Sequence, residues 1–396
     1  MRKLALLPAL LLAACTPDSL FLGTPRFSHE SGARIPGSGT DSTLTVPPGE
    51  HVWITAVRFP DGYDWELDTC AVEGTVWLDL YCDGKRLRSL PAGASIHPDM
   101  HRFAGGHLYA DYSTDTETVV LCDGEECFRF TGREALRGFL VREDGIHTLG
   151  QDRDGEGFSY RIDGREAFRS SVGTVIGDPD RRSGALMEDD GQLYYCFSQE
   201  GRAGKEFRVM REAGQLQVLN TYGAVYDARV ADGKVYWVQS NRMTLSLLED
   251  GLARSIRLNA GEEVRSCRIV PGPYGVLVGV HAVGSGKDRS FVYSSTGQVY
   301  NLGEDALLLD ILCDGKDAGW LLAGPDGAPQ RFVRISGGTQ VLPPGGYLAA
   351  RDCALFHDGC LYLALSGRAG APGRYIAGED VTEIPFNGYF TSITIE

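Results

Sequence analysis

The chain has 396 residues, of which 43% are hydrophobic and 10% aromatic, enough apolar material for a large folded core and too much for an intrinsically disordered chain. Its 53 acidic residues against 38 Lys and Arg give a formal net charge of −15. No basic cluster interrupts that excess, which argues against nucleic acid as a partner, because phosphate binding needs a basic stripe.

In chain order the first element is a short amino-terminal signal. Arg2 and Lys3 precede an apolar stretch from Leu4 to Leu12 that is too short to persist as a membrane span, and small residues follow. The run Leu12-Ala13-Ala14-Cys15 resembles the lipobox of bacterial lipoproteins. That resemblance implies a signal peptide over 1–14, cleavage before Cys15, and acylation of the Cys15 thiol and the new amino terminus. It implies an extracytoplasmic protein held at a membrane, since two or more acyl chains anchor stably where one does not. Thr16 in place of Asp resembles the sorting pattern of outer-membrane lipoproteins, with the periplasmic and the surface face both open. The alternative is an ordinary secretory signal with an incidental cysteine. Residues 15–41, rich in Gly, Ser, Pro and Thr, are expected to form a flexible tether, and residues 42–396 a single domain.

That domain is a repeat. A Gly, usually preceded by Asp, ends one apolar run and begins the next at Gly62, Gly106, Gly145, Gly191, Gly233, Gly275, Gly315 and Gly359. The spacing of roughly forty residues matches four-stranded propeller blades. A second turn follows each anchor, at Gly84, Gly124, Gly164, Gly214, Gly251, Gly297, Gly338 and, less clearly, Glu379-Asp380. Two hairpins per unit imply four strands, and Asp-Gly suits type I′ turns, which need positive φ at both central residues. In the fifth unit the expected strands are Asp227 to Val230, Lys234 to Val238, Thr244 to Leu248 and Ala253 to Leu258. Beyond the signal no long run carries apolar residues at helical spacing. The expectation is an all-β chain: a β-propeller of four-stranded antiparallel blades, eight in number, with seven as the alternative. Thr43 to Val57, Gln340 to Ala354 and Val381 to Ile395 each read as an outer strand followed by the next inner one, so an eight-unit ring has one surplus pair. Either the amino-terminal strand completes the last blade, or a terminal strand lies outside the ring.

Ten cysteines leave nine once Cys15 is lipidated, so at least one thiol stays unpaired. Cys122 and Cys127, flanking the Asp123-Gly124 hairpin, are the best disulfide pair, the alternative being two small apolar residues in a blade. Cys267 and Cys353 are expected as buried thiols. No Cys-x-x-Cys or Cys/His spacing indicates zinc.

Several constellations carry possible chemistry. His97, Asp99 and His101 would share one face of a strand and offer imidazole and carboxylate to a metal; the alternative is two rim histidines and a turn-capping Asp, with Pro98 suggesting that the strand has barely begun. Asp64, Glu66 and Asp68 alternate with Tyr63, Trp65 and Leu67. This reads as a half-exposed strand, or as a sugar site with acceptors beside a stacking platform, or as the acid and base of a glycosidase. Asp152 to Gly157 resembles part of a calcium loop, but Gly150 and Arg161 stand where the first and last ligands belong, so a polar hairpin loop is expected. Asp99, Asp227, Asp310 and Asp352 precede the anchors and are expected near the channel mouth as a shared ligand site.

No Gly-x-Ser-x-Gly elbow, phosphate loop, sialidase box or repeated Trp-Asp signature is present. No cofactor is expected, although a divalent cation is compatible with the acids. The function that follows is a membrane-tethered, non-catalytic module binding a protein or a glycan through one face of the ring. The alternative is an extracytoplasmic carbohydrate-active enzyme using carboxylates at the propeller mouth.

Overall fold

The computed structural model describes residues 49–67, 72–92, 97–153, 155–177, 184–201, 204–221, 223–241, 244–284, 287–304, 306–323, 329–368 and 370–396. The lipobox with Cys15, the tether and Asp68 lie outside them. Eight antiparallel sheets succeed one another along the chain. In blades two to eight a tight turn joins the innermost strand to the second, and in every blade another tight turn joins the third strand to the outermost. In the fifth blade these are Ala224–Ala231, Lys234–Asn241, Thr244–Glu249 and Leu252–Ile256, close to the four runs expected from sequence.

The core is divided among the seams between blades. Every pair of neighbouring blades, including the last and the first, packs one hydrophobic cluster between facing sheets. At the seam of the first two blades Trp53 and Phe103 stack with centroids 4.0 Å apart. A sheet with apolar residues on both faces must be covered twice, and a closed ring does this without leaving an exposed end.

Closure corrects the expected strand order. The first blade reads, from the axis outward, Gly388–Ile395, Val52–Arg58, Trp77–Cys82 and Lys85–Pro91. The carboxy-terminal strand therefore completes the first blade as its innermost strand, instead of the amino-terminal strand completing the last. The surplus pair disappears because Val52–Arg58 is a second strand. Gly62 is accordingly no inner-hairpin turn: it lies in the 59–76 connection between second and third strands, whereas Gly106 and the later anchors do close innermost hairpins.

Among the described residues seven Asp-Gly pairs, at 83, 123, 163, 190, 232, 250 and 358, have positive φ at both residues, as type I′ turns demand. The Asp has a second use. In the outer hairpins of blades one, two, three and five its Oδ1 accepts a hydrogen bond from the amide at the start of the second strand: Val52, Leu108, Ile146 and Val235 donate to Asp83, Asp123, Asp163 and Asp250 over 2.9–3.1 Å. A short acceptor in this turn thus also fixes the neighbouring hairpin, which Asn does less well and Gly not at all.

Candidate functional site

The tight turns gather at one end of the ring. The connections between blades and between second and third strands gather at the other, here called the loop face. One connection of this face joins the second and third strands of blade one, and its residues 59–67 lean onto blade eight. Asn387 pins it by donating from Nδ2 to the carbonyls of Pro60 and Tyr63, at 2.7 and 2.8 Å. Residues 61–67 form no strand, so the expected alternation on a strand does not occur at Asp64 and Glu66, while Asp68 lies outside the described residues. Asp64 Oδ1 accepts from the amides of Glu66 and Leu67 and caps the turn.

That turn presents Trp65. Its ring lies parallel to Tyr347 of blade eight, centroids 6.1 Å apart, and tilted against Tyr389 at 5.4 Å. Arg368 lays its guanidinium 4.1 Å from the centre of the Tyr347 ring and brings Nε to 3.9 Å from Glu66 Oε2. Leu67, 66% exposed, projects beside this stack. Sequence reasoning found Trp65 and Glu66 but missed Tyr347, Arg368 and Tyr389. Nearly three hundred residues separate them from Trp65, and only closure of the ring brings them together.

His97, Asp99 and His101 do not converge. The run 97–100 is irregular and the strand begins at His101. His97 stacks on Tyr389 with Nδ1 3.0 Å from its hydroxyl, Asp99 pairs with Arg153 of the next blade, and buried His101 turns to Thr391 Oγ1 at 3.2 Å. The alternative of two rim histidines and a turn-capping Asp fits only in part, since His101 is buried on its strand and Asp99 engages Arg153.

The four acids ahead of the anchors also part company. Asp227 and Asp310 are fully buried and staple neighbouring blades. Asp227 Oδ2 accepts from the Ile269 amide at 2.8 Å and Oδ1 lies 3.1 Å from Arg229 Nη1. Asp310 Oδ1 accepts from Arg268 Nη1 at 2.6 Å. Asp99 sits at the loop face in its ion pair. Asp352 alone lines the cavity of about 510 Å³ inside the ring, with Arg102, Arg351, Glu50 and His357. The four acids therefore do not meet in one site: Asp99, Asp227 and Asp310 are taken up by separate ion pairs, and Asp352 alone faces the cavity.

Cys122 and Cys127, the expected disulfide, are free thiols. Cys127 is the extra residue of a β-bulge: Val120 pairs with Phe128 and Leu121 with Glu126, so Cys127 stands opposite no partner. Of the two expected buried thiols, Cys353, at the end of the short 3₁₀ turn Arg351–Cys353, is fully buried, whereas Cys267 on the innermost strand of blade six is half-buried. In the calcium-like segment Asp152 and Gly157 close a polar hairpin loop through a 2.8 Å backbone bond.

No family model matches the chain, and no curated protein matches it. Among solved structures, the dihydro-heme d1 dehydrogenase NirN in complex with DHE is similar over 87% of this chain and 74% of that one, with a TM-score of 0.54 at 12% identity. Hsv2p of Kluyveromyces lactis is similar over 69% and 93%, with a TM-score of 0.44 at 14% identity, and virginiamycin B lyase from Staphylococcus aureus over 63% and 84%, with 0.37 at 13%. Likeness at such identities speaks for architecture alone, and the architecture is that of an eight-bladed β-propeller.

Proposed function

We propose that this propeller is a non-catalytic binding module, lipid-anchored through Cys15 outside the cytoplasm, that engages a protein partner through its loop face. The observation that carries the reading is the Trp65, Tyr347 and Arg368 stack with exposed Leu67 beside it. Trp, Tyr and Arg are the residues that dominate binding energy at protein interfaces, and an aromatic knob held by Asn387 loses little freedom on docking. The occupation of Asp227 and Asp310 by structural pairs also favours binding over a hydrolytic role for those acids. A glycan would exploit the same stack through Trp65 and the Glu66 carboxylate, and is the second reading.

The test places a photo-crosslinking residue at Leu67, and at Leu252 as an exposed control on the outermost strand of blade five. Crosslinking is done on the full chain in its own membrane. A discrete protein adduct from position 67 that Arg368→Glu abolishes, with none from 252, supports the proposal. Equal adducts from both positions, or none, overturn it, and a saccharide adduct selects the second reading.

A further inference from the structure

At the turn face, blades one and two carry the same three-residue arrangement. In blade one His51 stands just before the second strand, Cys82 ends the third, and Asp83 opens the following turn. His51 Nδ1 lies 2.7 Å from Asp83 Oδ2, and Cys82 Sγ lies 3.7 Å from that same oxygen. In blade two His107 Nδ1 lies 2.7 Å from Asp123 Oδ2, with Cys122 preceding the Asp. In each triplet the imidazole nitrogen, thiol sulfur and carboxylate oxygen all lie within 4.8 Å of one another. The strand register repeats too: Cys82 pairs with Trp53 and Cys122 with Tyr109, and the histidine stands two positions earlier in both blades.

We propose that His51, Cys82 and Asp83 form a binding site for a thiophilic divalent cation of the zinc type, and that His107, Cys122 and Asp123 form a second, weaker copy. Nitrogen, sulfur and carboxylate oxygen together are the donor set of such a metal, whereas calcium and magnesium take oxygen alone. The carboxylate is already aimed. The Val52 amide holds Asp83 Oδ1 at 3.0 Å and the Leu108 amide holds Asp123 Oδ1 at 3.1 Å, leaving each Oδ2 for the histidine, and such fixing of a ligand by its neighbours is a recurrent support of metal sites. Bonds of about 2.0–2.3 Å to a tetrahedral ion set donor separations of about 3.3–3.7 Å, so the histidine must retreat by about 0.6–1.0 Å. Three protein donors leave the fourth position to water or to a partner's side chain.

The two copies differ in one charge. Arg88 of blade one donates Nη1 to Asp123 Oδ1 at 2.6 Å and Nη2 to the Asp123 carbonyl at 3.1 Å, which opposes a cation there. The Asp83 carboxylate is met by His51, the Val52 amide and the Cys82 thiol, and no arginine pairs with it among the described residues.

The full chain in detergent, reduced and freed of metal by chelator, is titrated with Co(II) while the near-ultraviolet thiolate-to-cobalt band is followed, then displaced with Zn(II). Two equivalents are expected, the first bound more tightly. Cys82→Ser removes the tight step and Cys122→Ser the weak one, His51→Gln weakens the tight step while every thiol remains, and Arg88→Gln tightens the weak step several-fold. Unchanged circular dichroism keeps misfolding out of the comparison. No thiolate band, or a band indifferent to both Cys82→Ser and Cys122→Ser, overturns the proposal and leaves two His–Asp ion pairs that only tighten turns.

Discussion

Arg161 donates Nη1 and Nη2 to the two carboxylate oxygens of Glu134, at 2.6 and 2.8 Å, with both side chains 3% exposed. The pair spans blade three from its third strand to its innermost, crossing the second strand at Gly150, where any Cβ would collide with Glu134 Oε2. The Arg161 guanidinium also lies 4.0 Å from the centre of the Phe130 ring in blade two. Removing one partner of a buried pair leaves an uncompensated charge. Glu134→Gln or Arg161→Met should therefore cost about 3–5 kcal/mol, while the double replacement Glu134→Leu/Arg161→Met should recover most of the loss. Gly150→Ala should behave like the single variants. Urea denaturation of the set decides it, and additive losses in the double variant would refute coupling.

Asp310 should matter for stability well before it matters for any ligand. Asp310→Ala takes the counter-charge from the Arg268 guanidinium, 7% exposed between blades six and seven, and leaves its Nη1 bond to the Leu309 carbonyl; it should lower stability by about 3 kcal/mol. The same substitution at Asp99, whose side chain is 26% exposed, should cost less than about 1 kcal/mol. Thermal unfolding of the two variants side by side tests the contrast, and equal losses would contradict it.

The inner turn of blade seven predicts a pH dependence. Burial pulls the Asp314 carboxyl upward, but the amides of Asp317, Lys316 and Gly359 outweigh it and hold the group below the ordinary carboxylate range. Asp317 is likewise lowered: burial opposes, while the Ser336 hydroxyl and the Ala318 amide prevail. A carboxyl depressed in the folded state contributes stability above its unfolded pKa of about 3.9, and that contribution is lost as pH falls through the lower folded value. Melting temperature should therefore drop between about pH 4 and pH 2, and Asp314→Asn/Asp317→Asn should flatten that drop while lowering the neutral-pH value. A double variant with the parent's acid slope would show that these carboxyls do not set it.

Deleting residues 385–396 removes the innermost strand of the first blade and uncovers the apolar seam that Phe390 and Ile393 complete. The truncated chain should show no cooperative melt at the parent's temperature and should bind a hydrophobic dye. A parent-like transition would mean that the seam contributes little.

Much of this architecture was legible because the turns punctuate it. Asp-Gly at seven positions reports a backbone state that few other dipeptides reach, so blade number and strand count follow from spacing. Gly62 misled because a glycine in a long connection looks in sequence like one in a hairpin. The alternation from Tyr63 to Asp68 misled for a related reason: period-two patterning reports a strand only where a partner strand exists, and Asp64 satisfies its own turn instead. Side chains that meet across blades stayed hidden. Of the two positions at which the calcium pattern breaks, Arg161 forms a buried ion pair with Glu134 and Gly150 leaves the space that the Glu134 carboxylate occupies. The His51 and Cys82 meeting likewise has no local spacing, because a strand pairing creates it.

The bond between Val52–Arg58 and Gly388–Ile395 also sets a clock. A ribosome delivers Val52 long before Ile393, so until the later strand emerges the first blade exposes the unsatisfied amides and carbonyls of an open edge, together with the apolar face of its seam. Contacts between the chain's two ends are the slowest to form, and an uncovered edge is a template for pairing with another chain. The unfinished ring is thus at greatest risk of joining a second copy in the interval before its final strand emerges, and whatever escorts the nascent chain must shield blade one longest.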